Sequence, residues 1–388
     1  MKYPLNLYVV WHAESEICNT IAEDLYSSFC RDFTNPLSRG MGISTYFRTV
    51  KLEDNKPLAI DASEAAKNAI VLLIDEAYFL DDDFLAYTKD LVSLINANTR
   101  VFPVSLFDRA HEIGAGLETL QFIRGTLFHD APLNLSLSED LDKAIRKIRT
   151  EVLHDCARLL MDFKPSSEDK EEDRIGSPVK LFLSHAKKDG EHIALRFKAF
   201  IERHLKLDVF FDTVDIADGY DFSKQFEKEI NHSALVVFHT DEYASREWCR
   251  REVLIAKKHK SPIVVLHIIK EGEKRAFPYL GNMPTTTMLE NEALGFYRVV
   301  NLTLYQVLNN LYQLNLLSGY KNLVEGEKTS YTVLSSPPEL FNFLEFKKAN
   351  ENGKKLVVLY PDPPLGVEEL MVLNELDPEI SFITPINL

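Results

Sequence analysis

Short apolar runs rich in β-branched and aromatic residues recur along the chain, and each is followed by a stretch with helical spacing. The first set is YVVWHA from Tyr8, YFRT from Tyr46, AIVLLI from Ala69 and RVFPVSL from Arg100. The second is LFLSHA from Leu181, FFDT from Phe210, ALVVFH from Ala234 and PIVVLHI from Pro262. Runs of this kind are expected of strands buried on both faces of a parallel sheet. Segments 14–31 and 190–204 follow the first strands, and 83–97 and 247–258 follow the third; all four carry helical periodicity. Strands alternating with helices predict right-handed βαβ units. The same order occurs twice, so the fold class is α/β, with two doubly wound parallel sheets in tandem.

Between the two sets lies KPSSEDKEEDRIGS from Lys164, densely charged and almost without apolar residues, which predicts a solvated linker. A long helix over 136–162 precedes it, with Ser136 and Glu139 spaced as a capping box. Beyond the second set, strands are predicted at 331–335, 355–360 and 380–384, with helices at 338–346 and 366–376. A β-α-β-α-β piece of this size is marginal alone and needs a surface to pack on. The expected division is a first domain at 1–163, the linker at 164–176, a second domain at 177–320 and a small C-terminal α/β unit at 329–388.

Composition narrows the partners. The net charge of −15 disfavours nucleic acid, whose backbone is bound mainly by Lys and Arg. The basic run Lys257-Lys258-His259-Lys260 reads as a solvated helix end with favourable dipole contacts. No apolar stretch approaches the ~20 residues that span a bilayer, and the N-terminal stretch alternates like a strand rather than a signal peptide. The 4 cysteines are scattered without CxxC spacing, which suits a reducing cytosol and disfavours disulfides or a zinc knuckle. The histidines form no HExxH-type cluster, so no metal is expected. Without a Gly-rich phosphate loop, dehydrogenase and P-loop readings are weak.

Ligands of open α/β sheets bind where loops converge at the carboxyl ends of the strands. In the second domain those ends carry Ser184-His185-Ala186-Lys187, Phe211-Asp212-Thr213, and His239–Ser245 leading to Trp248. The loop Asp215–Phe222 has a central glycine, which permits a tight turn. Trp248 and Glu252 are four apart and are expected on one helix face. An aromatic plane beside a carboxylate suits a ribosylated heterocycle.

The runs KLFLSHAKKD, VFFDTVDIADGYDFSKQFEKEI and ALVVFHTDEYASREWCRREVLIA resemble the three conserved blocks of Toll/interleukin-receptor (TIR) domains, in order and at the family's spacing. Ser245, Trp248, Cys249 and Glu252 form the most specific piece. The resemblance, to the bacterial NAD-cleaving kind over about 140 residues from 177 to 320, implies a flavodoxin-like sheet with Glu252 as the catalytic residue. It also implies NAD+ as substrate rather than cofactor, contacted by Trp248, Phe211, His185, Ala186, Lys187, Asp215 and Ser245. The loop matched by Asp215–Phe222 would control self-association and access. Loss of nicotinamide would leave an oxocarbenium-like ribosyl centre, captured by water or by a group of the same molecule. A cytoplasmic, oligomerisation-activated antiphage effector is the function implied, with a separate sensor or effector protein as a further partner. A non-catalytic scaffold acting through TIR–TIR association is the alternative.

Single residues have plainer readings too. Trp248 reads equally as a packing anchor or a stacking platform. Ser184 and His185, adjacent on a strand, point to opposite faces and make no Ser-His pair. Cys249 reads as a buried helix residue. In the first domain, with Phe84 set opposite Trp248, Thr88 falls where Glu252 stands, and Arg48 falls where Asp212 stands. That copy is expected to be degenerate, with a regulatory, sensing or oligomeric role.

Overall fold

The computed structural model describes residues 2–35, 40–53, 55–125, 137–161, 177–211, 227, 229–273, 275–324, 329–349 and 355–388. Two compact units divide the chain, residues 2–171 and 172–388. The expected linker, Ser136 of the expected capping box, Asp212, Thr213 and the loop Asp215–Phe222 lie outside the described residues.

In the first unit, β1 (Tyr3–Val10), β2 (Ser44–Arg48), β3 (Ala65–Ile74), β4 (Thr99–Ser105) and β5 (Ile123–Arg124) form one parallel sheet in the order β2-β1-β3-β4-β5. Its helices are α1 (Glu16–Phe29), α2 (Glu76–Leu80), α3 (Asp82–Ser93) and α4 (Leu137–Met161). β1 and β3 are buried over nearly their whole length, as a doubly covered sheet requires. Ser15 caps α1 through Cys18 N, and Asp81 caps α3 through the amides of Asp83 and Phe84, each meeting donors that a first turn leaves unpaired.

The second unit repeats the frame. β6 (Lys180–His185), β7 (Asp208–Phe210), β8 (Ala234–His239), β9 (Ile263–His267) and β10 (Thr285–Thr287) stand in the order β7-β6-β8-β9-β10, the same topology strand for strand. α5 (Glu191–His204), α6 (Glu247–His259) and the long α7 (Glu292–Val324) accompany them. A further parallel sheet has the order β11-β12-β13, from β11 (Thr329–Val333), β12 (Lys355–Leu359) and β13 (Ile380–Ile383). Its helices α8 (Phe343–Ala349) and α9 (Val367–Leu376) join a core of Phe343, Phe346, Leu356, Val358, Ile380 and Phe382.

The small sheet is tied to the larger one by charge. Lys257, on the buried side of α6, places its ammonium 2.7 Å from Glu339 and 3.2 Å from Asn282, and Lys260 meets Glu345 at 2.6 Å. Lys258 and His259 both reach Glu227. The basic run at this helix end is therefore carboxylate-paired, and Lys257 is buried rather than solvated. Among the described residues no helix is long and apolar enough to cross a membrane.

Candidate functional site

α6 buries Cys249, Glu252, Val253, Ala256 and Lys257, the i, i+3, i+4, i+7, i+8 stripe of a helix lying on a sheet. Glu252 thus sits among apolar neighbours at 5% exposure, where a carboxylate is costly unless it is hydrogen-bonded. Ser184, near the end of β6, donates its hydroxyl to Glu252 Oε2 and lies in hydrogen-bond contact with the Tyr243 hydroxyl. Tyr243 belongs to the 3-10 turn Tyr243–Ser245 directly after β8 and is fully buried. A carboxylate only accepts, so the single Ser184 proton goes to Glu252 and Tyr243 donates to Ser184. Burial pushes the Tyr243 phenol far up, helped by Cys249 and Glu252 and opposed by its bond to Ser184. The Tyr243–Ser184–Glu252 chain lies on the α6 side of the sheet.

The pleat sends the next residue the other way. His185 stacks its ring on Phe211 at 4.7 Å and 15°, and Lys198 of α5 stands 5.8 Å over the Phe211 ring. His185 Nδ1 meets Leu183 O at 3.3 Å, while Nε2 is buried without a partner among the described residues. The expected set therefore divides. Glu252 is on the α6 side, His185 and Phe211 are on the α5 side, and Ala186 is buried in the core beneath α6. Cys249 is buried as expected and donates to His185 O at 3.4 Å.

Lys187 and Ser245 are exposed, and Ser245 Oγ is engaged by Glu242 O of its own turn at 2.7 Å. Trp248 is 47% exposed with the Arg251 guanidinium 5.0 Å over its ring, so Trp248 and Glu252 occupy different surroundings despite their spacing. Asp215 lies outside the described residues.

Sequence reasoning missed a second cluster on the α6 side. His239 and His267 close their strands directly opposite each other in register. Their Nδ1 atoms are 2.9 Å apart, and His239 Nε2 meets Glu273 Oε1 at 2.5 Å. The His239 ring is 5.7 Å from that of Tyr243. Asp241 fixes the loop that presents Glu273, accepting the amides of Lys270, Glu271 and Gly272 at 3.2, 3.2 and 2.8 Å. Those amides, Gly272 foremost, hold the Asp241 carboxyl below its usual range. Burial depresses the His267 pKa, His239 adds to this, and Glu273 opposes it. Two histidines ending neighbouring apolar strands were the available signal. Among the described residues no group of His, Cys, Asp and Glu is arranged to hold a metal.

The first sheet carries a matching tyrosine. Tyr78 follows Ile74, the end of β3, by four, as Tyr243 follows His239. The helix cap comes three residues after each tyrosine, at Asp81 and at Arg246. Counted from the tyrosines, Asp83 stands opposite Trp248, Phe84 opposite Cys249 and Tyr87 opposite Glu252. The expected pairing of Thr88 with Glu252 is thus off by one residue, because the cap and not the aromatic sets the register. Neither candidate is a carboxylate.

Parallel strands in this order, with helices between them, define the flavodoxin-like class of α/β domain. Residues 181–292 match the TIR domain family, and this segment is a TIR domain. No curated protein matches the chain. Among solved structures, the TIR domain of the Toll-related receptor TRR-2 from Hydra magnipapillata is 16% identical, covering 30% of this chain and 91% of that one at a TM-score of 0.26. A Salmonella typhimurium LT2 protein described as sugar binding is 14% identical, covering 61% and 89% at a TM-score of 0.21.

Proposed function

We propose that the TIR domain is an NAD+ nucleosidase with Glu252 as its catalytic group. The observation that carries this reading is a carboxylate kept on the sheet-facing stripe of α6, where an apolar residue would pack at lower cost, and held there by Ser184 and Tyr243. The C1′–N bond of NAD+ has a cationic leaving group that departs as neutral nicotinamide. The protein need mainly orient the ribose and stabilise the oxocarbenium-like state, and a carboxylate pre-oriented away from bulk water does both. Capture by water gives ADP-ribose; capture within the molecule gives a cyclic isomer.

The first unit shares strand order and buried tyrosine but has no carboxylate at the matching place. We assign it as a degenerate TIR-like copy that assembles or regulates rather than cleaves. Self-association of a cytoplasmic protein, with activity switched on by assembly in antiphage defence, completes the proposal.

The test is NAD consumption at high protein concentration with a crowding agent, products separated by chromatography. Glu252→Ala is expected to lower turnover by at least ~10²-fold, the scale of losing one electrostatic stabiliser. Turnover equal to wild type would remove Glu252 from the site. No turnover by either protein would favour the scaffold reading.

A further inference from the structure

The histidine pair and Glu273 have a proton arrangement that geometry alone constrains. The His239 side chain is 5% exposed and its Nε2 lies against Glu273, which as a carboxylate only accepts; His239 therefore carries its proton on Nε2. In a neutral ring the other nitrogen, Nδ1, is then a lone pair. Two lone pairs cannot face each other at 2.9 Å, so His267 carries its proton on Nδ1 and donates it to His239. The remaining nitrogen, His267 Nε2, is then the lone pair of a half-buried ring whose Nδ1 is taken by His239. A carboxylate that orients one imidazole, which in turn orients the next, is the arrangement that fixes tautomers in proton-transfer sites.

We propose that Glu273, His239 and His267 form a proton-accepting chain on the same side of the sheet as Glu252, with His267 Nε2 as its working atom, and that it takes the proton released when water adds to ribosyl C1′. This assignment rests on the NAD-cleaving reading above. The C1′–N bond breaks with its electron pair going to nicotinamide nitrogen, and water oxygen supplies the pair for the new C1′–O bond. The proton that water gives up binds His267 Nε2. The His267 Nδ1 proton then passes to His239 Nδ1, and the positive charge comes to rest on His239 against Glu273. NAD+ and water become ADP-ribose, nicotinamide and one proton, and no other reactant is needed.

Among the described residues the titratable groups around the pair are few. Glu273 faces His239 from the loop after β9, and the Tyr243 ring faces it from the turn after β8 with its phenol held neutral. Asp241 is occupied by the backbone amides of the Glu273 loop. Burial and His239 lower the His267 pKa, and Glu273 opposes them.

Nitrogen-15 NMR of the histidine rings in the full chain tests the chain of protons, and pH–rate profiles of NAD hydrolysis test its use. The expected neutral His267 is the Nδ1–H tautomer. Wild-type kcat should rise with pH through an apparent value below the ordinary histidine range of about 6.5 and then level off. His267→Asn should lose that limb and about 10²-fold in kcat, the scale of a general base. Glu273→Gln, which keeps the shape, removes the charge that favours the protonated pair, so the limb should move to lower pH. An Nε2–H tautomer in the wild type would overturn the chain. An unchanged limb and kcat in His267→Asn would overturn its role. Absence of NAD turnover in the wild type would remove the proton's source along with the nucleosidase reading, and the ring-nitrogen shifts would still decide the chain itself.

Discussion

The two five-stranded sheets share strand order and a fully buried tyrosine four residues past the third strand, yet their tyrosines end in different chemistry. Tyr78 pairs with Thr88 Oγ1 at 2.7 Å, and Thr88 donates its hydroxyl hydrogen bond to Phe84 O at 2.8 Å. That chain runs from α2 to α3, ends on the α3 backbone and is neutral throughout. Tyr243 leads instead through Ser184 to Glu252, so an ionisable group is held on the buried stripe. Beside Tyr78 the charges of the first sheet are paired with one another: Lys51 bridges Asp81 and Asp83 at 2.7 and 2.6 Å, and His12 joins Asp81 at 3.3 Å. One frame thus supports a network closed on hydroxyls and a carbonyl, or one that ends on a buried carboxyl group. What distinguishes them is the residue on the inner face of the following helix.

The largest expected contrast comes from cutting each network at its hydroxyl. Ser184→Ala leaves the buried Glu252 without that donor and should cost about 2 kcal/mol, within the range for a bond to a charged group. Thr88→Val removes a neutral hydroxyl and keeps the volume, and should cost about 1 kcal/mol. Urea unfolding of the full chain reads both, because the 2 tryptophans, Trp11 and Trp248, report one unit each. Equal costs would mean that Glu252 draws its support elsewhere. NAD turnover should fall in Ser184→Ala and stay unchanged in Thr88→Val.

A smaller contrast is expected at the phenols. Tyr78→Phe and Tyr243→Phe each remove one hydroxyl from a fully buried ring, and each should cost about 1 kcal/mol. Stability should therefore not tell the two sheets apart here. Activity should: in Tyr243→Phe the Ser184 oxygen loses its donor and Glu252 is oriented less well, lowering turnover a few-fold. An unaffected Tyr243→Phe would place the tyrosine in packing alone.

Much of the frame was legible because strands buried on both faces of a parallel sheet favour short apolar runs rich in β-branched or aromatic residues, as the runs at Tyr8, Ala69, Leu181 and Ala234 are. β10 was not legible: Thr285–Thr287 carries no apolar signal and becomes a strand only by pairing with β9. Glu252 could be read from its motif, whereas Ser184 and Tyr243 could not, since they are 59 residues apart and meet only through the packing of β6 beside β8. Grouping His185 with Glu252 treated the strand ends as one surface, and the pleat divides them into two. The His239–His267 pair needed the β8–β9 register, which single-strand patterns do not contain.

The smallest effect concerns acid, and it sets the paired carboxyl Asp81 of the first sheet against the second sheet, which lacks it. Burial pushes the Asp81 carboxyl up, but Lys51 and the amides of Phe84 and Asp83 outweigh it and hold the group below its usual value. A carboxyl depressed on folding contributes stability that is fully present above the unfolded value of about 3.9 and is lost as pH falls through the lower folded value. Asp81→Asn keeps a side chain able to cap α3, so at neutral pH it should cost less than about 1 kcal/mol, the scale of an exposed ion pair. Its distinct signature should appear between pH ~4 and the depressed value, where the acid loss of stability reported by Trp11 becomes shallower than in wild type. The transition reported by Trp248 should keep its pH dependence, since Asp81 belongs to the other sheet. A wild-type acid slope in Asp81→Asn would mean that the Lys51 pairing adds nothing beyond the cap to the stability of the first sheet.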